Sequence, residues 1–337
     1  MNSAVKSNPV LLAIETSCDE TAVAILRGTT LLASEIASQT AEHQPYGGVV
    51  PEVASRNHLV QAPKLLRGAL EAAALSVGEI DAFAATSGPG LASSLMIGAS
   101  LAKGLALGSR KPYLAVNHLE GHLLSPFFRD DFEVRPNVAL VVSGGHTLLV
   151  EVRAIGQYRI LGRTLDDAAG EAFDKVAKML GLGYPGGPEI ERRAAGGKAD
   201  RFDLPRSMIG SGDHNFSFSG IKTAVRYLLP ELQGDYVDDL CASFQRAVVD
   251  VLVRKTIAAA RACGATLVTL SGGVSLNERL REDLRDACRR ARLQFLAADA
   301  QLCTDNAAMI AFAAALRLER GDSTALTAEI DPNLALA

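Results

Sequence analysis

The sequence predicts an α/β protein that runs through one architectural plan twice. Three observations carry that expectation. Short apolar runs joined by polar turns open both halves of the 337-residue chain. Each half then holds an apolar run leading into a Gly-rich turn and a helix. Helical periodicity fits four further segments.

In chain order, Val10–Thr16 (VLLAIET), the turn SCDE and Thr21–Leu26 (TAVAIL) read as strand, tight turn, strand, with Leu31–Ile36 as a third strand. Pro51 opens a helical stretch over Glu52–Ala74. Ile80–Thr86 (IDAFAAT) follows as a strand, then SGPG, then an apolar helix from Leu91. The second half begins again with Val138–Val142, the turn SGGH, Thr147–Val152 and a third strand at Tyr158–Leu161. Ala168–Leu180 is helical and stops at Gly181. The segment from Gly181 to Gly220 is rich in Gly, Pro and charge, and reads as an insertion lining a site or as a solvated loop. Asp238–Ala262 is helical, Thr266–Leu270 is a strand, SGG turns the chain, and a helix starts near Leu276. Asn306–Arg320 is the last helix.

Strand, Gly-rich turn and helix in succession aim backbone N–H groups at an anion. The duplicated meander-plus-helix plan, with paired turns facing a cleft, follows the logic of the duplicated actin-like, sugar-kinase-like ATPase folds, two RNase H-like domains. The expected domains are 1–117 and 118–337. The second carries an insertion around 181–220 and a C-terminal helix that can pack back on the first. The alternative is a generic α/β enzyme with coincidental hairpins.

Composition removes several classes. Hydrophobic residues make up 48% and charged residues 21%, too apolar for a disordered chain. The most apolar stretch, Gly90 to Gly108, is interrupted by Lys103, serines and glycines, and does not read as a membrane span. The polar start, Met1 to Pro9, followed by the short apolar Val10–Ile14, does not fit a signal peptide. Five cysteines without a CxxC argue against a disulfide framework or a cysteine zinc knuckle, and for a reducing cytoplasm. A net charge of −4 gives no bulk nucleic-acid footprint, so such binding needs a local basic patch or a partner.

Two of the six histidines, His118 and His122 in NHLEGHLL, share one helical face and can reach one metal. A structural pair on a helix surface or in a core is the bland alternative. H-E-x-x-H is absent: Leu119 follows the first histidine, and Glu120 points about 160° away from His122. A glutamate-driven zinc hydrolase is therefore disfavoured. Asp305 is a candidate third ligand, although an Asp before an apolar helix is more often its N-cap. Two histidines and a carboxylate leave open positions that suit iron or zinc.

Ser143-Gly144-Gly145-His146 and Ser271-Gly272-Gly273 each follow an apolar strand, and neither is a P-loop or G-x-G-x-x-G. Singly each is a turn; paired in a duplicated plan they suggest phosphate sites. Asn277 either caps the next helix or touches a ribose or phosphate. Asp167, Glu171 and Asp174 fall on one helical face, either solvated or facing a nucleotide hydroxyl or metal. The arginines from Arg279 to Arg292 alternate with acids as on a salt-bridged surface helix, with an RNA footprint the weaker reading.

The strings LAIETSCDETAVAI, YGGVVPEVASRNH, SGPGL, NHLEGHLLSP, VSGGHT, DDAAGEAFDKVAKMLGLGYPGGP, FSFSGIKT, SGGVSLN and CTDNAAMIA occur in this order, in a match that runs from about Leu11 to Ala314. Together they resemble the TsaD family of tRNA threonylcarbamoyladenosine synthases, in its bacterial form. The resemblance implies the actin-like fold and an acyltransferase activity. In the family, threonylcarbamoyl passes from threonylcarbamoyl-AMP to N6 of the adenosine 3′ to the anticodon, in tRNAs reading codons that begin with adenine. AMP leaves.

The same resemblance implies one Fe(II) per subunit, or zinc, on His118, His122 and Asp305. It puts substrate contacts on Val141, Val142, Ser143, Gly144, Gly145, Asp174, Gly187 and Asn277, with threonylcarbamoyl-AMP or ATP/ADP in the cleft. The partners implied are a TsaB-like paralogue, a TsaE-like ATPase and tRNA, with no membrane. Glu52–Ala74 or its neighbours are the expected partner face. No general base is evident; Glu15, Asp19 and His146 are the candidates. The first eight residues are an extension with no role assigned. Three rivals remain: a small-molecule kinase of the same fold, which has no evident use for the His–His–Asp set; a glycoprotein endopeptidase; and a non-catalytic nucleotide-binding scaffold.

Overall fold

The computed structural model describes residues 8–129 and 133–336, so residues 1–7 of the N-terminal extension lie outside the described residues. The chain divides into two units. One runs to Glu133 and resumes over Asp305–Leu336; the other is Val134–Thr304.

The first unit opens with β1 (Val10–Glu15), β2 (Glu20–Arg27) and β3 (Thr30–Ser38), an antiparallel meander registered from Val10 opposite Arg27 to Glu15 opposite Ala22. The helices α1 (Thr40–His43), α2 (Pro51–Ala72) and α3 (Ala92–Ser109) alternate with two further strands, β4 (Ala82–Gly88) and β5 (Tyr113–Asn117). These add parallel to β1, giving the order β3-β2-β1-β4-β5. β1 and β4 are buried along their whole length, so they read as continuous apolar runs rather than alternating ones. Leu12, Ile14, Phe83 and Tyr113 pack in the core on this sheet, each buried aliphatic chain contributing about 2 kcal/mol. α4 (His118–Leu124) follows β5 without a break.

The second unit repeats the arrangement. β6 (Asn137–Val142), β7 (Thr147–Ala154) and β8 (Gln157–Arg163) form an antiparallel meander, and β9 (Leu267–Ser271) and β10 (Gln294–Ala297) add parallel to β6. Its order, β10-β9-β6-β7-β8, matches the first sheet strand for strand when read from the opposite edge. The fold is therefore the duplicated α/β plan that the sequence predicts. Its helices are α5 (Ala169–Met179), α6 (Gly186–Ala194), α7 (Ser219–Leu228), α8 (Val237–Ala262) and α9 (Glu278–Ala291). Val142, Phe173, Phe244, Leu270 and Leu284 lie in one core, with Phe173 and Phe244 edge to face at 5.1 Å.

The 181–220 segment is more than a loop. It contains α6, packed on α5 and α8, and leads into α7. Lys255, a buried lysine of α8, holds it through Ser211 Oγ at 3.0 Å and the Asp213 carbonyl at 3.1 Å. Asp166 accepts hydrogen bonds from the Ser217 and Ser219 hydroxyls at 2.5 and 2.6 Å and from the Phe218 N–H at 2.8 Å.

The chain then returns to the first unit as α10 (Ala307–Glu319). All its residues but Arg317 and Glu319 are buried, as a helix apolar all round requires, and it packs on β1, β2, β5 and α4. The boundary expected after residue 117 is thus displaced to after Glu133, because α4 stays with β5 and α10. The C-terminal helix, for which packing back on the first domain is the expectation, groups with the first unit.

Candidate functional site

The parallel strands β1, β4 and β5 end side by side, which is where ligands gather on sheets of this kind. Glu15 ends β1, Thr86 lies near the end of β4, and His118 follows the last residue of β5. Asn117 caps α4 by accepting the Leu119 N–H at 2.9 Å. The helix so started puts His118 and His122 on one face, ring centroids 4.8 Å apart and planes perpendicular. Every residue of α4 is buried.

Asp305 completes the group. It is not the cap of α10: Asn306 is, its Oδ1 accepting the Met309 N–H at 2.8 Å. That leaves the Asp305 carboxylate to face the imidazoles, with Oδ1 3.3 Å from Nε2 of His118 and 3.3 Å from Nε2 of His122. The ligand atoms of the three residues lie within 4.8 Å of one another. Ligands held about 2.1 Å from one ion stand about 3.0–3.4 Å apart in octahedral or tetrahedral geometry, so the His–Asp spacing fits a metal with N,O preference.

The local charges favour a cation. Burial opposes ionisation of Asp305, but the His118 charge and hydrogen bonds from both rings outweigh it and hold the carboxyl well below its usual range. Burial likewise works against Glu15, and the neighbouring His118 again prevails. Burial also opposes the charge on His118, yet the two carboxylates raise its pKa well above the usual value; His122 is lowered, chiefly by burial. Glu120 takes no part in the group. Its side chain is buried on another side of α4, 3.8 Å from Arg317, so it does not stand where the glutamate of an H-E-x-x-H zinc peptidase would.

In the second unit the two Gly-rich turns meet. A Cβ on Gly272, whose φ is +91°, would lie 2.4 Å from the Val142 carbonyl oxygen, and one on Gly170 would lie 2.6 Å from that of Ser143. Only glycine allows these approaches. Val141 and Val142 end β6 buried, Ser143 is nearly so, and Gly144 and Gly145 are exposed beside the N-terminus of α5. Asp174 on α5 accepts the Gly186 N–H at 2.7 Å, which ties it to the start of α6, where Gly187 has open space around its Cα. Asn277 caps α9 through the Leu280 N–H at 3.0 Å and donates to Gln245 at 2.7 Å. The one-face expectation for Asp167, Glu171 and Asp174 fails: Asp167 precedes α5 and pairs with Lys175 and Lys222, while Glu171 pairs with Lys175.

Of the base candidates, Glu15 is wholly buried; Asp19, in the β1–β2 turn, and His146, in the β6–β7 turn, are half-buried. Beside Asp19, burial and the Asp19 charge push the Glu20 carboxyl up to about 9. Sequence reasoning missed Glu20, and also Ser17 and Thr86, which contact Glu15. Polar residues at the carboxyl ends of adjacent parallel strands were the available signal.

A family model described as tRNA N6-adenosine threonylcarbamoyltransferase, TsaD, matches residues 30–312. The Chromobacterium violaceum protein of that name is 51% identical over 320 residues, covering 92% of this chain and 93% of its own. The one from Thermosipho africanus is 44% identical over 327 residues, covering 96% and 99%. Among solved structures, HypF from T. kodakarensis has a TM-score of 0.63 at 16% identity over 93% of this chain and 48% of its own, a likeness of fold only. With its motifs, its duplicated sheets and half its residues shared with such relatives, the chain belongs to the family of tRNA N6-adenosine threonylcarbamoyltransferases.

Proposed function

We propose that this transferase moves a threonylcarbamoyl group from threonylcarbamoyl-AMP to N6 of the adenosine 3′ to the anticodon, in tRNAs reading codons that begin with adenine. The observation that carries the reading is the convergence of both histidine Nε2 atoms on Asp305 at 3.3 Å, in a chain of this family. His118, His122 and Asp305 would hold one Fe(II), with Zn(II) the alternative. When bound, the ion supplies Lewis acidity toward the carbamoyl carbonyl.

The chain's own groups do the remaining work. Val141 to Gly145 offer backbone donors and acceptors to the adenylate, beside the positive end of α5. Asp174 and Gly187, at the junction of α5 and α6, and Asn277, at the start of α9, complete the nucleotide contacts. The N6 amine bonds to the carbamoyl carbon, the bond from that carbon to the phosphate oxygen breaks, and AMP leaves with the electron pair. N6 gives up one proton, for which Asp19 and His146 are the accessible acceptors.

A TsaB-like paralogue, a TsaE-like ATPase and tRNA are the proposed partners, in the cytoplasm. No helix among the described residues is long and apolar enough to cross a membrane. Leu59 and Val60 on α2 and Met96 and Leu107 on α3, two helices that pack together, are exposed, and apolar surface of this kind suits a folded partner.

The test is a transfer assay. The chain, with the two partners, receives threonylcarbamoyl-AMP and unmodified ANN-decoding tRNA, and the nucleosides are weighed by mass spectrometry. Modified adenosine that disappears with His118→Ala is the expected result. Adenylate binding without product would turn the reading toward a scaffold.

A further inference from the structure

Metal binding at this centre depends on which nitrogen His118 presents. A neutral imidazole carries one N–H and one lone pair. On one side of the ring, Nδ1 lies 3.2 Å from Glu15 Oε2 and 3.2 Å from Ser17 Oγ. On the other, Nε2 faces Asp305. A carboxylate only accepts, so once an ion takes Nε2 in place of the proton shared with Asp305, the bond to Glu15 keeps the one remaining proton on Nδ1 and leaves the lone pair to Nε2.

Glu15 cannot swing away. It is fully buried, and its other contacts come from two separate elements: the Ser17 N–H after β1, and the Thr86 hydroxyl of β4. His122 has no matching support: its Nδ1 is buried and lacks a hydrogen-bond partner among the described residues. The orientation of the imidazole pair therefore rests on the His118 side.

We propose that Glu15 is the positioning residue of this metal centre: it fixes the His118 ring as its Nδ1–H tautomer and so aims the Nε2 lone pair at the ion. The inference rests on the metal reading above, and it gives Glu15 a role other than taking the substrate proton.

The test uses the full chain and its Glu15→Gln, Ser17→Ala, Thr86→Val and His118→Ala variants, titrated with Co(II) and Zn(II) against a chromophoric chelator. Histidine ¹⁵N spectra of the zinc-loaded proteins read the tautomer. Glu15→Gln is expected to bind about 10- to 100-fold more weakly. Its Co(II) absorption spectrum and His118 nitrogen shifts should also change, which a merely structural role would not produce. His118→Ala should lose the site. Ser17→Ala, which removes the rival acceptor, should bind like the unaltered chain. Thr86→Val, which removes one anchor and keeps the charge, should lose affinity by a smaller factor, and it decides the matter if Glu15→Gln does not fold. Unchanged affinity and an unchanged tautomer in the folded variants would overturn this inference alone. Metal binding by the unaltered chain no tighter than by His118→Ala would overturn the metal reading and this inference with it.

Discussion

Two neighbouring residues divide two tasks that the sequence left on one. An Asp before an apolar helix is ordinarily its cap, and Asp305 carried both readings. The structure gives the cap to Asn306 and turns Asp305 toward the histidines. The two substitutions should therefore separate. Asn306→Ala is expected to cost about 1 kcal/mol of stability in denaturant unfolding while metal affinity holds. Asp305→Ala should abolish metal binding at little cost to α10. The His–His–Asp set was legible because its types and spacing carry chemistry. Thr86 and Ser17 were not, because a hydroxyl gains its meaning only from a partner far along the chain. Arg281 is a similar case. It read as one charge in a surface helix, yet its guanidinium donates to the Ser275 and Ala298 carbonyls and to Cys303 Sγ.

At the scale of elements, strands with long apolar runs were readable to within a few residues, since burial on both faces leaves no ambiguity of period. β5 and β10 were missed; YLAVN and QFLA are too short for any period to show. α6 was hidden in a segment whose glycines and prolines suggested a loop, although Pro185 lies at its N-cap and Pro188 in its first turn, and α7, which begins at the end of that segment, was missed as well.

What holds that region is electrostatic as well as apolar. Burial resists the charge on Asp167, but hydrogen bonds from Lys175 of α5 and Lys222 of α7 outweigh it and lower its pKa. A carboxyl lowered in the native state stabilises the fold fully above its unfolded value of about 3.9, and loses that contribution as pH falls through the native value. Asp167→Asn should thus reduce stability at pH 7, and the gap to the unaltered protein should close as pH drops below about 4. Urea unfolding across pH 2.5–7 reads this. A gap that stayed constant would mean that the aspartate acts through shape and not charge.

At the scale of the molecule, the repeat in the sequence and the physical units do not coincide. The pattern repeats after residue 117, but packing follows buried surface, and α10 covers its apolar circumference against α4 and the strands of the first sheet. The first unit is consequently built from both ends of the chain: His118 and His122 precede the whole second unit in sequence, and Asp305 follows it. A ligand that binds only the native state stabilises what it binds, by about 2.7 kcal/mol at a hundred times its Kd. All three proposed metal ligands lie in the first unit, so an ion held there should raise the unfolding temperature of that unit and leave the other unmoved. Calorimetry with and without Zn(II) should then show one transition that shifts and one that does not, with the shift lost in His118→Ala. Truncation after Thr304 should erase the shifting transition and spare the other, because it removes a ligand and the helix that closes the first core together. If both transitions moved equally with metal, the two units would unfold as one cooperative block, and a core assembled from both chain ends would not be an independent unit of stability.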